Sequence, residues 1–278
     1  MLPSIDFFGT KISRLLLGDN PFVGNTYVYD LHSRDEMLDY YTCETVLKTM
    51  FAAEENGITA YLALADPFIL RIIREYRKQG GKMNIIFQSY APVDLETGIW
   101  QMMECEPIGI YHQGSTFDLM VEEEKFDLIH KRLGMLKATG VKVGFATHVP
   151  ETLLKAEEED WGMDFYTTSI YNSRQGRKGE TSSFITGKPK QLAFYPGDPP
   201  LMYEAIKKVN KTCICIKILA GGQILLELKE DEIQNKIKEI YKEVFENIKA
   251  IDVICVGVFP KYKDQIKENV NIINEILS

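Results

Sequence analysis

Cysteine is scarce and unpatterned in this sequence. Its five residues, Cys43, Cys105, Cys213, Cys215 and Cys255, are an odd number with no CxxC spacing. Neither a disulfide framework nor a structural zinc or iron-sulfur site is indicated. Three of them sit in apolar, strand-like runs, where a free thiol packs as a small hydrophobe. Long hydrophobic runs are missing as well. The longest, Ile58 to Leu70, is broken by Asp66 and Pro67 and falls short of the roughly 20 residues that a bilayer span requires. Met1 to Asp6 has neither the basic leader nor the apolar core of a secretory signal. A reduced, cytoplasmic protein is expected. Basic charge is also short, with 32 Lys and Arg against 40 Asp and Glu for a net charge of −8. That balance disfavours nucleic acid and anionic membranes, which select a broad basic face. No G-x-G-x-x-G turn, P-loop or G-x-S-x-G elbow occurs. A small-molecule partner is the expectation.

What is present is a globular composition, 45% hydrophobic and 26% charged over 278 residues. Apolar runs of strand length alternate with stretches of helical period along the whole chain, the pattern of βα units in a parallel sheet. Eight strands are predicted, at Arg14-Leu17, Thr59-Ala65, Asn84-Gln88, Ile108-His112, Lys142-Thr147, Phe165-Ile170, Cys213-Lys217 and Val253-Val256. The helices between them include two long ones, Asp35-Glu55 and Phe117-Thr139. With no linker or composition shift, residues 1–278 read as a single-domain α/β chain, a (β/α)8 TIM barrel. Residues 1–13 would form an N-terminal β-hairpin closing its bottom.

The reaction site of such a barrel is built at the C-terminal ends of its strands, and here those ends are polar. They carry Asp19 and Asn20, Asp66, Gln88, His112 and Gln113, His148, Tyr171 and Asn172, and Lys217. Two of the four histidines, His112 and His148, end adjacent strands, and period two places His112 with Ile108 and Ile110, and His148 with Gly144 and Ala146. Both rings are expected to point into the barrel and approach each other. With Asp66 they would make a site for a divalent metal such as zinc, manganese or iron, or act as acid-base and hydrogen-bonding groups without one. His32 and His130 lie in a loop and a helix, where surface or structural roles are expected. Lys217 shares its parity with Cys213 and Cys215, which would aim it inward. There it could form a Schiff base, act as a general base, or serve as a cation that pairs with Asp19 or Asp66 or holds a substrate anion. Gly221 and Gly222, with Gly257 after the last strand, occupy the region where barrels commonly hold phosphate.

The segment 171–199 after strand six is the longest connection and reverses the overall charge, with Arg174 and Arg177 among its cations. Long loops in compact domains are usually functional or disordered, so a lid over an anionic substrate is expected, with a surface excursion or oligomer contact as the alternative. Tyr171, Asn172, Arg174 and Arg177 join Asp19, Asn20, Gln88 and Gln113 as substrate-binding candidates.

Lys11-Ile12-Ser13-Arg14-Leu15-Leu16-Leu17-Gly18 resembles the opening hairpin and first strand of the aldo/keto reductases. Glu55-Asn56-Gly57-Ile58-Thr59-Ala60-Tyr61, Ile110-Tyr111-His112, Leu136-Lys137-Ala138-Thr139-Gly140-Val141-Lys142 and Leu219-Ala220-Gly221-Gly222 are similar to the same family in order and spacing. So are Val256-Gly257 and Gln265-Ile266-Lys267-Glu268-Asn269-Val270. The resemblance implies a barrel that binds NADPH and protonates a carbonyl with a Tyr-Asp-Lys-His set. On this chain Leu62 stands at the aspartate position, Pro67 or its neighbourhood at the tyrosine, and Gln88 at the lysine, with only His112 matching. The expected activity is therefore acid-base lyase, isomerase or hydrolase chemistry on a small polar or anionic metabolite, centred on His112, His148, Asp66 and Lys217, with or without a metal. The alternatives are NADPH-linked oxidoreduction with an altered catalytic set, in which Lys261 and Lys263 meet cofactor phosphate beside Gly221 and Gly222, and a ligand-binding barrel without turnover.

Overall fold

The computed structural model describes residues 2–27, 34–174 and 194–278. The chain opens with an antiparallel hairpin, β1 (Ser4–Phe7) and β2 (Thr10–Ser13), in register Ile5 to Ile12. Eight parallel strands follow and close on themselves: β3 (Leu15–Gly18), β4 (Ala60–Leu64), β5 (Asn84–Gln88), β6 (Gly109–His112), β7 (Lys142–Thr147), β8 (Phe165–Ser169), β9 (Thr212–Ile216) and β10 (Val253–Gly257). Closure is made by β10 against β3, Ile254 facing Leu15 and Gly257 facing Gly18. The molecule is a (β/α)8 barrel with a separate two-stranded sheet, as the βα alternation predicts. Among the described residues no helix is long and apolar enough to cross a membrane.

Barrel strands are buried on both faces, so two apolar clusters form. The inner one joins alternate strand residues such as Leu16, Ile86, Tyr111 and Ile214 to Ile5, Phe7 and Ile12 of the hairpin. Phe7 meets Phe165 edge-on at 5.3 Å, so the hairpin plugs the floor. The outer cluster seats strand residues such as Leu17, Ile110 and Phe145 against the helices. Gly144 lets β7 and β8 approach closely, because a Cβ there would lie 2.5 Å from the Phe165 carbonyl oxygen.

The two long predicted helices are each divided in the structure. Asp35-Glu55 becomes α1 (Arg34–Tyr40) and α2 (Cys43–Glu55), because Thr42 breaks the run and caps α2 by accepting the Thr45 N–H. Phe117-Thr139 becomes α5 (Gly114–Glu122) and α6 (Phe126–Lys137). Glu124 takes a left-handed φ of 54°. The Glu124 N–H then donates to Val121 O and the Lys125 N–H to Met120 O, a Schellman ending. Glycine adopts this conformation without the Cβ penalty that glutamate bears. Glu124→Gly is expected to raise stability by about 1 kcal/mol, read as a rise in denaturation midpoint. A fall would show that the side chain has a role that its backbone conformation conceals. Among the described residues the remaining α-helices are α3 (Pro67–Lys78), α4 (Leu95–Met103), α7 (Pro150–Glu158), α8 (Asp198–Lys208), α9 (Glu230–Asn247) and α10 (Gln265–Ile276).

Candidate functional site

A cavity of about 610 Å³ opens at the C-terminal ends of the strands. Its floor is apolar, with Leu62, Leu64, Tyr111, Ile216 and Cys255, and its polar wall is made by Asp19, Asn20, Gln88 and Lys217. From there it runs past Gly221 and Gly222 toward α9 and α10. Mostly apolar walls with a few convergent polar groups are the usual make-up of a small-molecule site.

Lys217 reaches this mouth by a route other than the one its spacing suggests. Ile214 belongs to the inner cluster, while Cys213 and Cys215 belong to the outer one. Strand parity alone would therefore send Lys217 toward the helices. The chain leaves the ladder at Lys217 with a left-handed φ of 57°, a conformation that costs a non-glycine residue about 1–2 kcal/mol. The turn throws the side chain over the mouth, where Nζ stands 2.6 Å from His148 Nε2 and 5.6 Å from the Tyr27 ring centre. Tyr27 in turn packs on Gly221, whose φ is +61° and where a Cβ would lie 2.5 Å from the ring.

His148 follows β7, and its orientation is set by a helix residue, Asp118, outside the expected set. Asp118 on α5 is buried and accepts from the Thr147 hydroxyl at 2.6 Å, from the His148 backbone N–H at 3.0 Å and from His148 Nδ1 at 2.7 Å. With Nδ1–H donating to the carboxylate, Nε2 is the acceptor, and Lys217 donates to it. The result is a chain Lys217, His148, Asp118. Burial, and after it the Lys217 cation, lower the His148 pKa to about 4 against the opposing pull of Asp118. The His148 ring is therefore neutral at neutral pH.

The structure corrects several of the expected placements. His112 does not reach the mouth: Tyr111 takes the interior face of β6, so His112 points into the helix layer. There its Nε2 lies 3.1 Å from an Arg132 nitrogen, its Nδ1 lies 3.1 Å from Gln113 O and its ring packs against Phe117. Burial holds its pKa down near about 4. Asp66 caps α3, accepting from the Phe68 and Ile69 N–H groups. His112, His148 and Asp66 thus do not converge, and among the described residues no group of three His, Cys, Asp or Glu side chains is placed to hold a metal ion. Gln113 caps α5 through Thr116 N–H. Arg174 is buried and holds Glu122 at both oxygens, 2.8 and 2.5 Å. Tyr171 packs on Phe194, and Asn172 ties to Arg174 and Asp198 through the backbone N–H groups. None of these lines the cavity. Lys261 pairs with Glu36 on the surface. Arg177 and most of the expected lid, residues 175–193, lie outside the described residues.

Asp19, Asn20, Gln88, Gly221 and Gly222 do line the cavity with Lys217. Gln88 takes a long 3.4 Å hydrogen bond from the Tyr111 hydroxyl, and Asn20 accepts from the Asn25 amide. The sequence held no signal for Asp118, because the helix predicted from Phe117 puts it in the first turn, where an aspartate is favoured.

Neutral buried histidines make stability depend on pH. His112 is held near about 4 in the fold and titrates near about 6.5 in an unfolded chain. In that window the unfolded state binds the extra proton, so this contribution to stability is lost as pH falls. The stability advantage of the wild type over His112→Gln is expected to shrink between these two values in denaturant titrations. An advantage constant across the window would contradict it.

No protein-family model and no curated protein matches this sequence. Solved structures do resemble it. A truncated 3-deoxy-D-arabino-heptulosonate 7-phosphate synthase from Thermotoga maritima superposes with a TM-score of 0.55 at 13% identity, over 99% of this chain and 91% of that one. The dihydropteroate synthase of Yersinia pestis gives 0.54 at 8% identity, over 99% and 97%. Gox0644 in its apo form gives 0.56 at 12%, over 99% and 94%. At these identities the likeness is one of fold.

Proposed function

We propose that this barrel is an enzyme that moves protons on a small carbonyl-bearing metabolite, in lyase or isomerase chemistry, with Lys217 as the group that meets the substrate oxygen. The observation that carries the reading is the 2.6 Å contact of Lys217 Nζ with His148 Nε2, backed at 2.7 Å by Asp118, at the edge of the cavity. A cation held over apolar walls interacts strongly with an oxygen on which charge develops, because the local dielectric is low. His148 gives the lysine proton a second resting place, and Asp118 offsets the charge that this would create on the ring. The two named synthases share this frame; the groups proposed here are this chain's own. The ammonium form donates to His148, so Lys217 acts as proton donor and anchor. Borohydride added with carbonyl probes is then expected to leave Lys217 unmodified. A reduced adduct at Lys217 would assign imine chemistry instead.

NADPH-linked reduction, the activity that the aldo/keto reductase resemblance implies, is favoured by one observation, the extension of the cavity past Gly221 and Gly222 to α9 and α10. The residues there fit the cofactor poorly. Lys261 is engaged by Glu36 and Lys263 by Glu268, and Glu230 and Glu268 add negative charge to the wall. Low-micromolar quenching of intrinsic fluorescence by NADPH would favour this second reading.

A further inference from the structure

Lys217 supplies one side of a proton-transfer site, and proton abstraction needs a base on the other. Asp19 follows β3, Lys217 follows β9, and β10 lies between those two strands. Two strand spacings, about 10 Å, separate their backbones, and both side chains line the one cavity. Asp19 is only 7% exposed. One oxygen, Oδ2, takes both hydrogen bonds, from the Leu64 N–H at 2.5 Å and the Tyr61 hydroxyl at 3.2 Å.

We infer that Asp19 is a catalytic residue, the general base that takes the proton from the carbon next to the carbonyl held by Lys217. This rests on the function proposed above. The Asp19 carboxylate accepts the proton, the C–H electron pair becomes the new C=C bond, and the carbonyl π pair moves to oxygen, which takes a proton from the Lys217 ammonium. Where the α carbon bears a hydroxyl, Asp19 returns its proton to the former carbonyl carbon while that hydroxyl gives its proton to the Lys217 amine and becomes the new carbonyl, which is the isomer. Where the β carbon bears a leaving group, the enol gives its proton back to Lys217, the carbonyl re-forms, the C=C shifts, and the leaving group departs with its electron pair and the Asp19 proton, which is lyase chemistry. No oxidant is consumed. Burial supports the assignment by raising the Asp19 pKa to about 7, against the bonds from Leu64 and Tyr61 and with a small further push from Asp66. Tyr61, Cys255 and Tyr111, the other titratable groups facing it, are all held above their ordinary values by burial. They stay neutral while Asp19 titrates, and a base poised near neutrality is the most effective.

Two measurements test this. Asp19→Asn keeps an oxygen for Leu64 and Tyr61, so the fold is retained. Solvent deuterium incorporation into hydroxyacetone, dihydroxyacetone and pyruvate is followed by NMR. Wild type is expected to exchange at least one of these above the buffer rate, with both Asp19→Asn and Lys217→Met reduced about 10²-fold or more. Retained exchange in Asp19→Asn with loss in Lys217→Met overturns this inference alone; no exchange by wild type overturns both readings. The second measurement uses no substrate. The fold binds a proton at Asp19 that the unfolded chain releases, so the folding equilibrium constant of Asp19→Asn relative to wild type is expected to rise by about tenfold per pH unit between roughly 5 and 7. A flat ratio means an ordinary carboxylate and overturns the assignment.

Discussion

Lys217→Met is expected to lower turnover by about 10³-fold or more while leaving the melting temperature unchanged or raised. The loss follows from removing the side chain that links the His148–Asp118 pair to the cavity. Stability survives because the lysine holds its place at a cost: a left-handed backbone, with φ +57°, and a cation drawn from water. Lys217→Gly removes both and should unfold later than wild type by about 1 kcal/mol, or a melting shift of roughly 2–4 °C for a chain of this size. An inactive protein more stable than its parent is the mark of strain kept for function. If Lys217→Met exchanges protons on the carbonyl probes at the wild-type rate, the proposed site is wrong.

Asp118→Asn is expected to damage activity and stability together. The carboxylate accepts three donors with no donor of its own, from Thr147 and twice from His148. An amide presents one oxygen and one NH2 group. With its oxygen toward His148, the NH2 group meets the Thr147 hydroxyl, which accepts by turning its proton to Val149 O. A neutral oxygen then holds the ring about half as strongly, and the charge that offsets a proton on the ring is gone. Exchange on the probes should fall about 10²-fold or more, and unfolding free energy by about 2–4 kcal/mol. Asp118→Leu leaves both His148 donors buried without the acceptor they have here, while Thr147 keeps Val149 O, and should be worse still. Wild-type exchange in Asp118→Asn would mean that His148 needs no orientation to work.

The architecture was legible because βα alternation is a property of chain order, and every strand had an apolar run to announce it. The direction of side chains was not. In a barrel both faces of a strand are apolar, so period two separates two sets without saying which is inside. Ile108 and Ile110 seemed to carry His112 inward; Tyr111 holds that place, and His112 went to the helices. The parity of β9 turns Lys217 away from the mouth, and a left-handed turn delivers it there. Asp118 lies on a helix rather than at a strand end, and hydrophobic spacing does not register that its carboxylate reaches His148. The helix breaks at Thr42 and Glu124 depend on single capping residues inside continuous helical periods, which hydrophobic spacing cannot register.

Barrel closure sets a condition on how the chain folds. Leu15 pairs with Ile254 and Leu17 with Val256, so the first and last strands of the ring are joined across almost the entire sequence. Such distant pairing makes loop closure slow. Until β10 is in place, β3 has a bare edge toward it, and the apolar floor of the barrel rests on the hairpin alone. A chain emerging from the ribosome must hold that edge open while the rest is made, and a partly synthesised barrel is where aggregation would start.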